Sequence, residues 1–163
     1  MLRQLRSQVA IAGAVTLLGL ASQPVFGQTT EERRERGAAV VRELNNGKTQ
    51  PNLEAMRQEF PFLAEATEAY ALGDVWSRPG LDNRTRQLAA VAAFAAIGET
   101  AMMRVHAGYA LNIGATEEEL KELIYMVTVP AGFPRAIAAS QTLSQLFEER
   151  RAVNEVENGE ARP

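Results

Sequence analysis

Leu88-Ala89-Ala90-Val91-Ala92-Ala93-Phe94-Ala95-Ala96-Ile97 sets ten apolar residues in a row without a break. Most are alanine, the residue that loses least on entering a helix, so the run reads as helix rather than strand. A helix that is apolar all round is expected to be buried on all sides. The stretch therefore predicts the central helix of an all-α domain. Asp82 is placed to cap its start through the side-chain oxygen, and Gly98 interrupts the pattern after it.

Downstream, a second helix is expected from Glu99 to Ile113. Met102, Val105, Tyr109 and Ile113 recur on it at helical spacing. Gly114 ends it. Thr116 and Glu119 stand three apart, the spacing of a capping box. The helix they start carries Leu120, Leu123, Ile124 and Val127 on one side. Residues 130–134 read as a turn, with Pro134 in the first turn of a last helix. That helix shows Ala136, Ala139, Leu143 and Leu146, and a polar, loose tail is expected from Asn154.

Upstream, Trp76 to Leu81 reads as a loop with Pro79-Gly80 as its turn. Helices are expected over Glu31–Leu44, stopped by Asn45-Asn46-Gly47, over Leu53–Glu59, and over Phe62–Leu72, ended by Gly73. The chain shows no alternating strand pattern and no repeat.

The first 27 residues follow a different logic. Arg3 and Arg6 precede an uncharged run from Val9 to Leu20, apolar apart from Thr16, and Gln23-Pro24-Val25-Phe26-Gly27 follow. That is the pattern of a secretory signal peptide cleaved after Gly27, with an uncleaved anchor as the alternative. The expected organisation is a signal peptide over 1–27, one helical domain over 28–153 and a tail over 154–163. The destination is then exported, periplasmic or secreted, with no membrane association after cleavage.

The 163 residues carry 17 basic and 20 acidic side chains, a net charge of −3. Both arginines of the leader lie outside the mature domain, which is therefore more acidic still. Such a balance is unsuited to nucleic acid. The chain has no cysteine and one histidine. Thiol redox chemistry is excluded. No HExxH pair, phosphate loop, dinucleotide fingerprint or nucleophile elbow is present. What remains is cofactor-free acid/base chemistry on a small molecule, or binding.

His106 is the first candidate, since only histidine titrates near neutral pH unperturbed. Its neighbours at helical spacing are Met102, Met103, Tyr109 and Ala110, so it sits at the edge of the apolar stripe. A structural histidine bonded to a backbone carbonyl is the other reading. Glu99 lies two turns earlier, roughly 10 Å along the axis. It is either a second acid/base group or an acid favoured by the helix dipole. Arg86 could hold a substrate carboxylate with its planar fork or be surface charge. Met102 and Tyr109 could wall the same pocket.

The segment from Trp76-Ser77-Arg78-Pro79-Gly80-Leu81-Asp82-Asn83-Arg84-Thr85-Arg86 into the Ala-rich helix resembles the middle of carboxymuconolactone decarboxylase family members. The resemblance continues through His106, Ala110-Leu111-Asn112, Gly114, residues 116–122 and Ala131-Gly132-Phe133-Pro134, and upstream through Phe60-Pro61 and Gly73-Asp74-Val75-Trp76. It implies an all-α fold shared with alkylhydroperoxidase D-like proteins, and homo-oligomers, trimers or hexamers, with sites near subunit interfaces. It also implies decarboxylation of a small unsaturated lactone acid without cofactor, His106 taking the place of the family histidine. The redox branch carries two cysteines where this chain has Glu99 and Met102, so peroxidase chemistry by that route is closed. Pro130 stands where relatives reading Tyr-Ala-Gly-Phe-Pro have tyrosine.

Overall fold

The computed structural model describes residues 28–160. The signal peptide expected over residues 1–27 lies outside the described residues. Among those described there are helices and no strand: α1 (Thr30–Leu44), α2 (Pro51–Glu59), α3 (Pro61–Ala66), a π-helical segment (Thr67–Trp76), α4 (Asn83–Ile97), α5 (Thr100–Asn112), α6 (Glu117–Ala131) and α7 (Phe133–Glu160). None of these helices is long and apolar enough to cross a membrane.

The helices start and stop where local chemistry requires. Thr29 and Glu32 close a capping box on α1, and Thr116 and Glu119 another on α6. Asp82 accepts from the Thr85 N–H at 2.9 Å, and that bond lowers its carboxyl pKa. Gly98 closes α4 with φ 85°, a left-handed conformation that only glycine adopts freely.

α4 packs on α5, α6 and α7 around the main core, which centres on Val91, Met103, Leu120, Ile124 and Leu143. The expectation that α4 is buried on every side is not met within one chain. Gln87, Val91 and Ala95 form its buried face, while Ala89, Ala93 and Ile97 form an exposed one. Three neighbouring helices cover only part of its circumference. α5 differs too. Met103, Ala107 and Ala110 face the main core, whereas Met102, Val105 and Tyr109 face a second space described below.

Three further boundaries differ from the sequence expectation. Pro130 lies inside α6, and Gly132 makes the turn with φ 80°. A proline two residues from a helix end removes an N–H bond but leaves no long stretch beyond it to break. α7 continues as helix past Asn154 to Glu160. Gly73 does not end a helix: the chain passes through it to Trp76.

The reason for Gly73 is contact. The π segment lies against α1 so closely that a Cβ on Gly73 would collide with the Arg33 carbonyl, and one on Gly37 with the Glu68 carbonyl. Backbone cannot yield as a side-chain tip does. Gly73→Ala should therefore lower stability by about 1–3 kcal/mol or more, as overpacking does, read as a lower denaturant midpoint. An unchanged midpoint would mean the two helices are free to separate.

Candidate active site

A second, smaller space opens between the N-terminal helices and α4 and α5. Its volume is about 290 Å³, and its walls are almost wholly apolar. Leu53, Met56 and Leu72 form one side; Met102, Val105 and Tyr109 form the other. His106 projects into it.

The imidazole is held from both faces. Trp76 stacks on it at 5.2 Å between centroids and Phe94 at 5.1 Å, with Tyr109 edge-on at 6.0 Å. The Trp76 ring is available because the π segment carries the chain past Gly73. Phe94 comes from α4, about two turns beyond the same helix's buried glutamine. His106 Nδ1 lies 2.7 Å from Gln87 Oε1. An amide oxygen only accepts, so Nδ1 carries the proton and Nε2 keeps its lone pair. No described side chain hydrogen-bonds Nε2.

Burial pushes the His106 pKa down to about 4. With no carboxylate beside it, nothing repays the loss of hydration on charging. The resting histidine is therefore neutral at pH 7. A pH titration of its ring signals by nuclear magnetic resonance should show no change from pH 8 to 6 and a midpoint near 4. The unfolded chain takes up this proton near 6.5, the folded one near 4. In that window the unfolded state binds more protons, so stability should fall as pH drops from about 6.5 towards 4. A midpoint at 6.5 would mean the ring is solvated.

Two buried donors in this region have no partner: Trp76 Nε1 and Gln87 Nε2. Gln87 is fully buried. Unpaired buried N–H groups are costly; Trp76 lines the cavity, so its N–H is ready to meet an acceptor that a ligand brings, whereas Gln87 lies behind the His106 ring. Tyr109 accepts a bond from Gln50 Nε2 at 2.8 Å and keeps its own proton, since burial raises its pKa.

The residues singled out from sequence are thus divided. His106, Met102 and Tyr109 meet at this cavity. Glu99 is the exposed N-cap residue of α5 and does not line it. Arg86 does not line it either: its guanidinium donates to the carbonyls of Leu81, at 3.2 Å, and Arg78. Arg84 pairs with Glu119. Among the described residues no three His, Asp or Glu side chains converge as a metal site would need. Gln87, Trp76 and Phe94 complete the site from outside α5. Gln87 had one legible sign: it precedes Val91 and Ala95 at four-residue steps, which puts a polar side chain on the buried face.

Sequence comparison meets this geometry independently. A profile of the carboxymuconolactone decarboxylase family matches residues 61–145, which hold Trp76, Gln87, Phe94 and His106. The chain is 34% identical over 124 residues to a 4-carboxymuconolactone decarboxylase of Acinetobacter baylyi, covering 73% of this chain and 90% of that protein. It is 36% identical over 90 residues to a nitrosuccinic acid decarboxylase of Metarhizium robertsii, covering 52% of this chain and 62% of that one. It is also 25% identical over 126 residues to an uncharacterized 15.0 kDa protein of Paracoccus denitrificans, covering 76% and 94%.

Proposed function

The chain belongs to the carboxymuconolactone decarboxylase family, and from that premise we propose that it is a cofactor-free carboxy-lyase acting on a small unsaturated lactone acid or related carboxylic acid. The observation that carries this reading is His106: neutral, sandwiched between Trp76 and Phe94, and fixed through Nδ1 by Gln87 inside an apolar cavity. Two relatives with decarboxylase names support the reaction class.

The chemistry follows from charge. The C–C bond to the substrate carboxylate breaks, carbon dioxide leaves, and the electron pair enters the conjugated carbonyl as a dienolate. A proton then bonds to carbon. The net change is one carboxylate and one proton converted to one C–H bond and carbon dioxide. Apolar walls disfavour the localised charge of a carboxylate more than a dispersed dienolate. The anionic substrate raises the pKa of the histidine it approaches. His106 Nε2 thereby takes a proton as substrate binds, and returns it to carbon after carbon dioxide departs. The unpaired Nε1–H of Trp76, whose ring lines the cavity, is a donor available to a developing oxyanion. Met102 and Tyr109 wall the substrate. Glu99 and Arg86, which sequence spacing offered as acid/base and carboxylate-binding groups, are given no part in this scheme within a single chain.

The test is carbon dioxide release from a panel of unsaturated lactone acids incubated with purified protein and no added cofactor. Turnover of one of them is expected. Ligands that shift the His106 signals yet are never turned over would replace the lyase by the alternative, a non-catalytic small-molecule-binding oligomer of the same fold.

Assembly and export belong to the same proposal. Exposed Ala89, Ala93 and Ile97 on α4, with Val129 at 86% and Phe133 at 70% exposed, support a homo-oligomer. Sedimentation should return a trimer or hexamer; a monomer at micromolar concentration would refute it. Export predicts that the protein recovered outside the cytoplasm begins at Gln28.

A further inference from the structure

Decarboxylation moves an electron pair onto a carbonyl oxygen, and the rate depends on what meets that oxygen as its charge grows. His106 is unsuited to this second task. Its Nδ1–H is held by Gln87 Oε1, and its Nε2 is needed for the proton that goes to carbon. No Lys or Arg lines the cavity. Trp76 Nε1–H is one available donor. An enolate oxygen has lone pairs for more than one, and a second donor stands on α5 itself.

Tyr109 follows His106 by three residues, so the two side chains leave α5 on one face. Their rings meet edge-on, with centroids 6.0 Å apart, and both line the cavity. A buried phenol commonly gives its O–H to a protein acceptor. Tyr109 is buried, yet its only hydrogen-bond partner among the described residues is a donor, Gln50 Nε2 at 2.8 Å. The direction of that bond is set by the other end of the amide. Gln50 is the N-cap of α2, and its Oε1 accepts from the Asn52 N–H at 3.5 Å. Pro51, at the first helical position, has no N–H to offer. With Oε1 turned to the helix start, Nε2 is the group that reaches Tyr109. The hydroxyl therefore receives one hydrogen bond and has its own proton free. A bond received at oxygen polarises the O–H and strengthens it as a donor.

We propose that Tyr109 is a catalytic residue of this site, giving its O–H as a hydrogen bond to the substrate oxygen that collects negative charge, and that Gln50 positions it. The inference rests on the lyase reading of the His106 cavity. The electron pair of the broken C–C bond enters the carbonyl, the oxygen draws the phenol closer, and His106 Nε2 supplies the proton to carbon. The Tyr109 proton stays on Tyr109, whose pKa burial raises. One face of α5 then carries both the proton for carbon and the hydrogen bond for oxygen.

The experiment compares tetronate, the enolate of a five-membered lactone with its charge on oxygen, with the uncharged unsaturated lactone of the same ring. Dissociation constants at pH 7 are read from the His106 ring signals in wild type, Tyr109→Phe and Gln50→Glu. Tyrosine Cζ signals are followed alongside; the chain has three tyrosines, and Tyr109→Phe assigns the one in question. Tetronate should shift the Tyr109 signal, and its affinity should fall about tenfold or more in Tyr109→Phe, the range of one hydrogen bond to a charged group. The neutral lactone should lose about threefold or less, which also reports that the variant is folded. Gln50→Glu retains an oxygen for the α2 cap but offers Tyr109 an acceptor, which captures its proton. It should weaken tetronate binding more in the wild-type background than in Tyr109→Phe, where there is no proton to capture. Equal losses in the two backgrounds are repulsion by the new charge and remove Gln50 from the proposal. If Tyr109→Phe binds tetronate as wild type does, or loses both ligands equally, the assignment is overturned and the lyase reading stands. If tetronate engages Tyr109 but no lactone acid releases carbon dioxide, the lyase reading fails and Tyr109 is a binding residue only. If neither ligand moves His106, the lactone reading of the cavity fails and the Tyr109 assignment falls with it.

Discussion

His106→Ala should lower turnover by about 10²- to 10⁴-fold, the ordinary range for loss of a general acid, with the helical fold retained. The ring lies against a cavity rather than in the main core, so its removal enlarges a space that already exists. Its structural cost falls on Gln87, whose Oε1 loses its partner while Nε2 already lacks one. Added imidazole should restore part of the rate, because the gap between Trp76 and Phe94 matches the ring it replaces. A purely structural histidine would not show that rescue. Unchanged turnover in the variant would remove His106 from the mechanism altogether.

The pH profile separates two ways of using this histidine. If protonated His106 delivers the proton, kcat/KM should fall about tenfold per pH unit above the free enzyme's pKa near 4. kcat should hold to higher pH, because the bound anion raises the pKa in the complex. If neutral His106 only accepts a hydrogen bond at Nε2, kcat/KM should be flat through neutral pH. The negative charge that the substrate brings to this buried ring favours the first outcome: substrate and proton enter the site together.

The main helices were legible because their signals are local. The alanine-rich run, the Thr116–Glu119 box and Asp82 each act within one or two turns. Gly73 misleads for the opposite reason. As a sequence letter it marks a helix end, but here it permits α1 to approach, and that depends on a partner 40 residues away. Pro130 was read as turn because proline usually breaks a helix; so close to the end of α6 there is little left to break. The site divided along the same line. His106, Met102 and Tyr109 share one face of one helix, so spacing placed them together. Trp76, Gln87 and Phe94 reach the imidazole from two other elements, and no spacing rule on α5 could have named them. Arg86 looked like a carboxylate binder by residue type, yet two backbone carbonyls already occupy its guanidinium.

Replacing both Arg34 and Arg57 with methionine should destabilise the protein by about 3–5 kcal/mol, the cost of stranding a buried charge and a large part of a typical domain's stability of about 5–15 kcal/mol. The stranded group is Glu68, 2% exposed in the π segment. Arg34 of α1 reaches its Oε2 at 3.1 Å, and Arg57 of α2 reaches its Oε1 at 2.8 Å. The trio is asymmetric. The arginine side chains are 36% and 33% exposed and have second partners in Glu31 and Glu54. Removing Glu68 therefore leaves two cations that can turn to water, whereas removing the cations leaves a carboxylate that cannot. Glu68→Leu should cost less than the double variant, and adding it to the double variant should recover most of the loss. Denaturant midpoints at pH 7 measure these losses. A double variant that loses less than about 1 kcal/mol would mean that water reaches Glu68. The consequence extends to the site, because this trio ties α1 and α2 to the segment that ends in Trp76. Loosening it should free the indole from the His106 face and weaken ligand binding before the domain itself unfolds.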